Sequence, residues 1–194
     1  MTSVASAACS PSVGERDDDD RRLAERARDG DADAFAQLYR QYVERIHAFA
    51  WYRTRSREAA EDITSAAFER AWRAMPRFEW RGGGFRPWLF RIAATETAGW
   101  HRGRVRRDRV VERVGAEPVA DDGLAALAPD HRIDDLVTAV GTLRPRYQEA
   151  ITLRHLSGLS ADEAAEVMGC SKATLAVTLH RALNALRRAL GAES

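Results

Sequence analysis

The chain has 194 residues, 45% of them hydrophobic, with a formal net charge of +1, which suits one mid-sized domain or two small ones. No apolar run approaches the roughly 18 residues of a membrane span, and residues 1–12 lack the basic flank and apolar length of a signal peptide. Cys9 and Cys170 offer no disulfide framework. The five histidines (His47, His101, His131, His155 and His180) show no Cys/His zinc spacing, so a reducing cytoplasm and a chain without metal or cofactor are expected.

The small net charge hides an uneven distribution. Residues 1–30 carry −2, residues 31–107 carry +6, residues 108–143 carry −5 and residues 144–194 carry +2. Between Pro76 and Arg107 eight arginines face only Glu79 and Glu96. Lys172 is the single lysine. Arginines interleaved with aromatic residues suit phosphate contact together with base stacking, although a solvated basic face has the same composition.

In chain order, residues 1–22 are polar, small and acidic (Asp17 to Asp20) and are expected to be a disordered tail. Asp31 and Asp33 offer helix caps, and Phe35, Leu38, Tyr42, Ile46, Phe49 and Ala50 then share one helical face. Ser56 opens a second helix with Ala59, Ile63, Ala67, Phe68, Ala71 and Trp72 at similar spacing, and Pro76 ends it. A loop over residues 77–86 contains Gly82, Gly83 and Gly84. Pro87 marks the first turn of a third helix that carries Trp88, Leu89, Ile92, Ala93 and Trp100. Residues 108–130, net acidic with Gly115, Pro118, Gly123 and Pro129, read as a flexible linker. No strand-like alternation occurs, so the fold is expected to be all-α: two small helical domains, residues 23–107 and 131–194.

The second domain carries the sharpest local signal. Ser160 with Glu163 three residues later is a capping box. Ala164, Val167 and Met168 point inward, Gly169 permits a tight turn, and Ser171 caps the next helix. That helix buries Leu175, Leu179, Ala182, Leu183, Leu186 and Leu190 and presents Lys172, Ala173, Ala176, Val177, His180, Arg181 and Asn184. The layout is that of a helix-turn-helix, whose second helix enters the major groove of DNA. An ordinary helical hairpin shares much of this chemistry.

The two segments together resemble the extracytoplasmic-function sigma factors, a group of the main bacterial sigma family. DADAFAQLYRQYVERI, EDITSAAFERAWRAMPRF and FRPWLFRIAATETAGWHRGRVRR resemble region two. LRPRYQEAITLRHLSGLSADEAAEVMGCSKATLAVTLHRALNALRRAL resembles region four. The resemblance implies that the second helix grips core RNA polymerase through Glu61, Asp62, Ile63, Ser65, Ala66, Phe68, Glu69, Trp72 and Arg73. Relatives often carry Gln-Glu where this chain has Ser65-Ala66, which removes two polar contacts. It also implies that the loop and third helix open the minus-ten element and hold its non-template strand. Phe78, Trp80, Phe85, Trp88 and Trp100 are then candidate stacking surfaces, and Arg77, Arg81, Arg86, Arg91, Arg102 and Arg104 candidate phosphate ligands. Core packing is the competing role for each aromatic. Trp72 and Trp88 fit the core better, while Trp80, beside three glycines, fits DNA or a partner equally well. Thr95 and Gly99 stand where relatives often have asparagine and aspartate.

Region four would read the minus-thirty-five element with Lys172, Ala173, Thr174, Ala176, Val177, His180 and Arg181. Relatives often show Lys-Ser-Arg where this chain has Ala176-Val177-Thr178, so contact with thymine methyls is expected in place of bonds to guanine. Promoter DNA, core polymerase and a possible anti-sigma protein are the implied partners. No nucleophile–base pair, P-loop or carboxylate constellation argues for an enzyme. Three alternatives remain: a helix-turn-helix regulator acting without polymerase, a nucleic-acid-processing enzyme, and a degenerate sigma factor acting as an adaptor.

Overall fold

A computed structural model describes the backbone of residues 13–114 and 131–191 and the side chains of residues 17–107 and 136–191. Every regular element among the described residues is helical, so the all-α expectation holds. The first module comprises α1 (Val13–Arg28), α2 (Ala32–Thr54), α3 (Arg57–Ala74) and the long α4 (Phe85–Val114). Its boundaries follow from short-range chemistry. Asp31 accepts the Ala34 amide at the start of α2, and Ser56 does the same for Ala59 at the start of α3; each satisfies an amide that the helix itself leaves unpaired. Pro76 closes α3 through the 3-10 turn Met75–Arg77.

The apolar stripes of these helices meet in one core. Leu38, Ile46, Phe49, Phe85, Leu89 and Phe90 have essentially no exposed surface, and Phe49 meets Phe90 edge-on at 5.6 Å between ring centroids. Helices α2 and α3 pack side by side, with α4 across both.

The acidic start of the chain departs from expectation. Residues 13–22 belong to a helix and not to an irregular tail, and Leu23, Ala24 and Ala27 join the core. The last residue of the aspartate run explains how so polar a segment can dock. Asp20 is buried, where its carboxylate accepts from the Tyr42 hydroxyl and, at 2.7 Å, from Gln41 Nε2. These hydrogen bonds offset part of the cost of burying the carboxylate. Burial still holds the Asp20 carboxyl above its ordinary value of 3.8, with the Tyr42 and Gln41 hydrogen bonds opposing that rise. The folded state therefore binds this proton more tightly than the unfolded chain. The resulting stability is complete below 3.8 and is lost as pH rises through the raised folded value. Thermal melts of wild type and Asp20→Asn are expected to differ in slope across that window, the wild type alone losing stability to ionisation of this group. Parallel curves would show that Asp20 titrates alike in both states.

The second module comprises α5 (His131–Gly141), α6 (Pro145–Ile151), a π-turn over Thr152–Leu156, α7 (Ala161–Val167) and α8 (Lys172–Ala189). The Ser160–Glu163 capping box forms in both directions, and Ser171 caps α8 through the Thr174 amide. Gly169 adopts φ +60° between α7 and α8, a conformation most side chains resist. On α8, Leu175, Ala182 and Leu186 are buried and Leu179 and Leu183 half-buried, as the spacing predicts. Leu190 is 46% exposed at the C-cap, and Asn184 is half-buried between His180 and Arg187.

Helix α4 runs on through residues 108–114, where a linker was expected to begin. The remainder of that linker, residues 115–130, lies outside the described residues. The two modules are also not held together by a tether alone. Ala150, Leu153, Leu159, Ala164, Ala165, Val167 and Leu175 belong to the same apolar cluster as the core of α1–α4, with α7 packed on α4 and the π-turn on α2.

Candidate nucleic-acid interface

Three surfaces carry the residues picked out by the sequence. The first is the outer face of α3. Glu61, Asp62, Ser65, Glu69 and Arg73 are exposed and Ala66 is half-buried; Glu61 pairs with Arg57 at 2.9 Å and Glu69 with Arg73 at 3.1 Å. Such exposed pairs are weak and exchange readily for a partner's charges. Trp72, expected in the core, is 39% exposed and rests on Phe35 at 4.9 Å. With Ala32, Phe68 and Glu69 these rings line a shallow apolar cavity of about 320 Å³. Phe68 and Ile63, in contrast, are buried. Phe68 lies between Phe35 and Tyr39, so it supports this surface from beneath.

The second surface is the glycine loop and α4. Phe78 and Phe85, assigned by the sequence to stacking on bases, are 6% and 0% exposed. They pack against each other and against Trp88 at 4.8 and 5.5 Å. The reason is geometric: the loop turns back at Gly84, which lets the ring of Trp80 lie against the Gly84 backbone and cover Phe78. A side chain at Gly84 would overlap that ring, and φ there is +80°. Trp80 and Trp100 are half-buried and keep part of their faces accessible; the Arg104 guanidinium lies 5.6 Å from the Trp100 ring centroid. Arg77 and Arg102 are exposed. Arg81 is exposed and pairs with Glu79. Thr95 is exposed but turns its hydroxyl onto the Arg91 carbonyl at 2.9 Å.

Two of the expected phosphate ligands are engaged elsewhere. Arg86 donates to the carbonyls of Ser157 and Gly158 at 3.1 and 2.8 Å and lies 3.5 Å from a Glu163 oxygen. Arg91 donates to the Glu166 carbonyl. Both contacts join the first module to the second.

The third surface is the exposed face of α8. Lys172, Ala173, Thr174, Ala176, Val177, His180 and Arg181 are all solvent-facing, and Lys172 pairs with Asp162 at 3.0 Å. Thr178 is buried, its hydroxyl bonded to the Thr174 carbonyl at 2.8 Å. Only the first two residues of Ala176-Val177-Thr178 therefore face outward. Beside this face Arg144 at the N-cap of α6 and Arg146 and Tyr147 on that helix join Ala173, Thr174, Val177 and Arg181 around one open groove. Arg144 and Arg146 were not singled out by the sequence reading. Their signal was local, since two arginines flank Pro145 at the first turn of α6.

Among the described residues the fold is all-helical, with a helix-turn-helix in one module and an arginine- and aromatic-rich loop in the other, the layout expected of a nucleic-acid-binding regulator. Comparison with known proteins narrows the class. Residues 38–107 match the family described as Sigma-70 region 2, and residues 133–186 match Sigma-70, region 4. The RNA polymerase sigma factor CarQ of Myxococcus xanthus is 33% identical over 172 residues, covering 86% of this chain and 95% of that protein. The ECF RNA polymerase sigma factor BldN of Streptomyces coelicolor is 36% identical over 170 residues, covering 87% of this chain and 64% of its own length. This chain thus spans less than two thirds of BldN and, at 62%, of the sigma factor SigE of Mycolicibacterium smegmatis. The structure of CnrH bound to the cytosolic domain of CnrY superposes with a TM-score of 0.68 at 26% identity, over 91% of this chain and 99% of that one. The sigma factor RpoE of Bartonella quintana, bound to the anti-sigma factor NepR, gives 0.67 at 27% identity over 82% and 98%. The chain belongs to the ECF group of the RNA polymerase sigma factor family. No helix among the described residues is long and apolar enough to cross a membrane.

Proposed function

We propose that this protein directs core RNA polymerase to promoters and stabilises the opened DNA, acting inside the bacterial cell and not as an enzyme. In this reading α3 docks on polymerase through Glu61, Asp62, Ser65, Glu69, Trp72 and Arg73, with Ala66 beneath them. Arg77, Trp80, Arg81, Arg86, Arg91, Thr95, Trp100, Arg102 and Arg104 follow the melted minus-ten strand, and the exposed face of α8 reads the minus-thirty-five duplex. The observation that carries the reading is the pairing of two surfaces in one chain: an exposed recognition-helix face fronted by Arg144, Arg146 and Arg181, and a Gly-Arg-Trp loop on a separate helical module. A duplex-only regulator has no use for the second. An anti-sigma partner is proposed by analogy with the CnrH and RpoE complexes.

The direct test is run-off transcription with core polymerase on DNA taken from upstream of the protein's own gene, where addition of the protein is expected to create defined start sites. A polymerase that starts equally with and without it would remove the proposal. The groove makes a second expectation. Alanine at both Arg144 and Arg146 should weaken duplex binding alike on all sequences and lower the salt slope by about two, one per lost phosphate contact. A change confined to one base position would instead make these arginines base readers.

A further inference from the structure

The contacts that close the two modules on each other have a chemistry of their own. Glu166 of α7 reaches into the glycine loop, where its Oε2 accepts the Gly83 amide at 2.9 Å. The loop makes room for it by lacking side chains: a Cβ on Gly82 would stand 2.6 Å from the same oxygen. Arg91 holds the Glu166 backbone carbonyl, and Arg86 lies against Glu163 one turn earlier on α7. The Arg86 Nε is buried and has no hydrogen-bond partner among the described residues. One backbone amide in a glycine turn, with Arg86 held on the Glu163 carboxylate and Arg91 on the Glu166 carbonyl of the same short helix, is an arrangement suited to an anion oxygen. In this structure a glutamate supplies that oxygen.

We propose that Gly83, Arg86 and Arg91 form a phosphodiester site for single-stranded DNA, and that Glu166 of the helix-turn-helix module plugs it in the unbound protein. The proposal rests on the promoter-DNA reading given above and adds a competition to it. Glu166 and a backbone phosphate need the same amide, so α7 must leave α4 before a strand can enter. A second hinge point opens with it: Arg53 at the end of α2 donates to Gln148 Oε1 at 2.8 Å and to the Pro145 carbonyl at 3.3 Å. The shared apolar cluster makes closure favourable without a partner, while the charged contacts at its edge decide what can replace it. If the closed form makes up about nine-tenths of the unbound protein, the apparent affinity for a strand is reduced about tenfold.

The test uses the full-length chain, a labelled single-stranded oligonucleotide and small-angle scattering. Glu166→Lys reverses the plug's charge at the residue whose carbonyl Arg91 holds. Glu166→Ala removes it with the best helix former and serves as the milder variant, helix content being checked by circular dichroism. Both are expected to enlarge the radius of gyration and to tighten oligonucleotide binding, up to about tenfold. Glu25→Ala removes the same charge from an exposed site on α1 and should change neither. Unaltered radius and affinity in both Glu166 variants, with promoter-dependent transcription intact, would overturn the plug and leave the sigma-factor reading standing. An enlarged radius with no transcription by any variant would overturn that reading, and the phosphate assignment with it. A gain in affinity matched by Glu25→Ala would reduce the effect to overall charge and also overturn the plug.

Discussion

Replacing Phe85 by alanine is expected to cost about 3–5 kcal/mol of folding stability, the largest effect of any single change at the residues first marked for DNA contact. The side chain has no exposed surface and meets Tyr42, Phe78 and Trp88 at centroid separations of 5.7, 6.0 and 5.5 Å. Truncation removes the transfer free energy of a whole ring. It also leaves a cavity among side chains fixed from three directions, and packed interiors relax only partly into such a space. The loss reaches further than the first module, because the cluster that holds Phe85 includes Leu153, Leu159 and Val167 of the second. Since native domains are stable by only about 5–15 kcal/mol, Phe85→Ala should lower the melting midpoint sharply and loosen the contact between modules. Trp80→Ala is the instructive comparison: its ring is half-buried and covers Phe78 from outside, so it should melt closer to wild type. Equal melting midpoints for wild type and Phe85→Ala would refute the core assignment.

Phe85 also shows where reading the sequence succeeded and where it stopped. Elements set by chemistry within a few residues were legible. Asp31, Ser56, Ser160 with Glu163, and Ser171 each cap the helix expected of them, because a cap needs only its own next three amides. Pro76 and Gly169 likewise punctuate where their backbone restrictions or freedoms dictate. Helical periodicity showed which side chains share a face, yet it could not show what covers that face. Phe78 and Phe85 stand at the two ends of an arginine-rich loop that looks built for DNA, but they are enclosed by a turn whose closure depends on Gly84 and Trp80. Asp20 closes an aspartate run that looks fully solvated, and its partner Tyr42 is 22 residues away. Thr178 falls on the inner side of α8 although its two predecessors face out. The junction of the modules was the least legible feature. Arg86 and Arg91 read as unpaired phosphate ligands until Glu163, Glu166 and the carbonyls of Ser157 and Gly158, more than seventy residues downstream, are brought against them.

Trp72→Ala is expected to lower affinity for core polymerase by about 2 kcal/mol or more, roughly thirtyfold. Periodicity placed Trp72 with the core of α3, yet more than a third of it is open to solvent beside Phe35, Ala32 and Glu69. An indole so placed stands on a packed aromatic base. Phe68 lies buried beneath, 6.4 Å from Phe35, so little side-chain freedom remains to be lost on docking. Around it lie Glu69, Arg73, Asp62 and Glu61, an exposed polar rim of the kind that surrounds an anchoring aromatic. Ser65 and Ala66 add little polar or charged contact to this rim, so the apolar anchor should bear a larger share of the binding. Truncation should leave the fold nearly intact, since the contact with Phe35 is worth about 0.5–1.5 kcal/mol. The decisive measurement sets two numbers side by side, the dissociation constant for core polymerase and the melting midpoint of the protein alone. Weaker binding at a nearly unchanged midpoint identifies Trp72 as an anchor on the polymerase face. A lower midpoint with wild-type affinity would return it to the core, where the sequence first placed it.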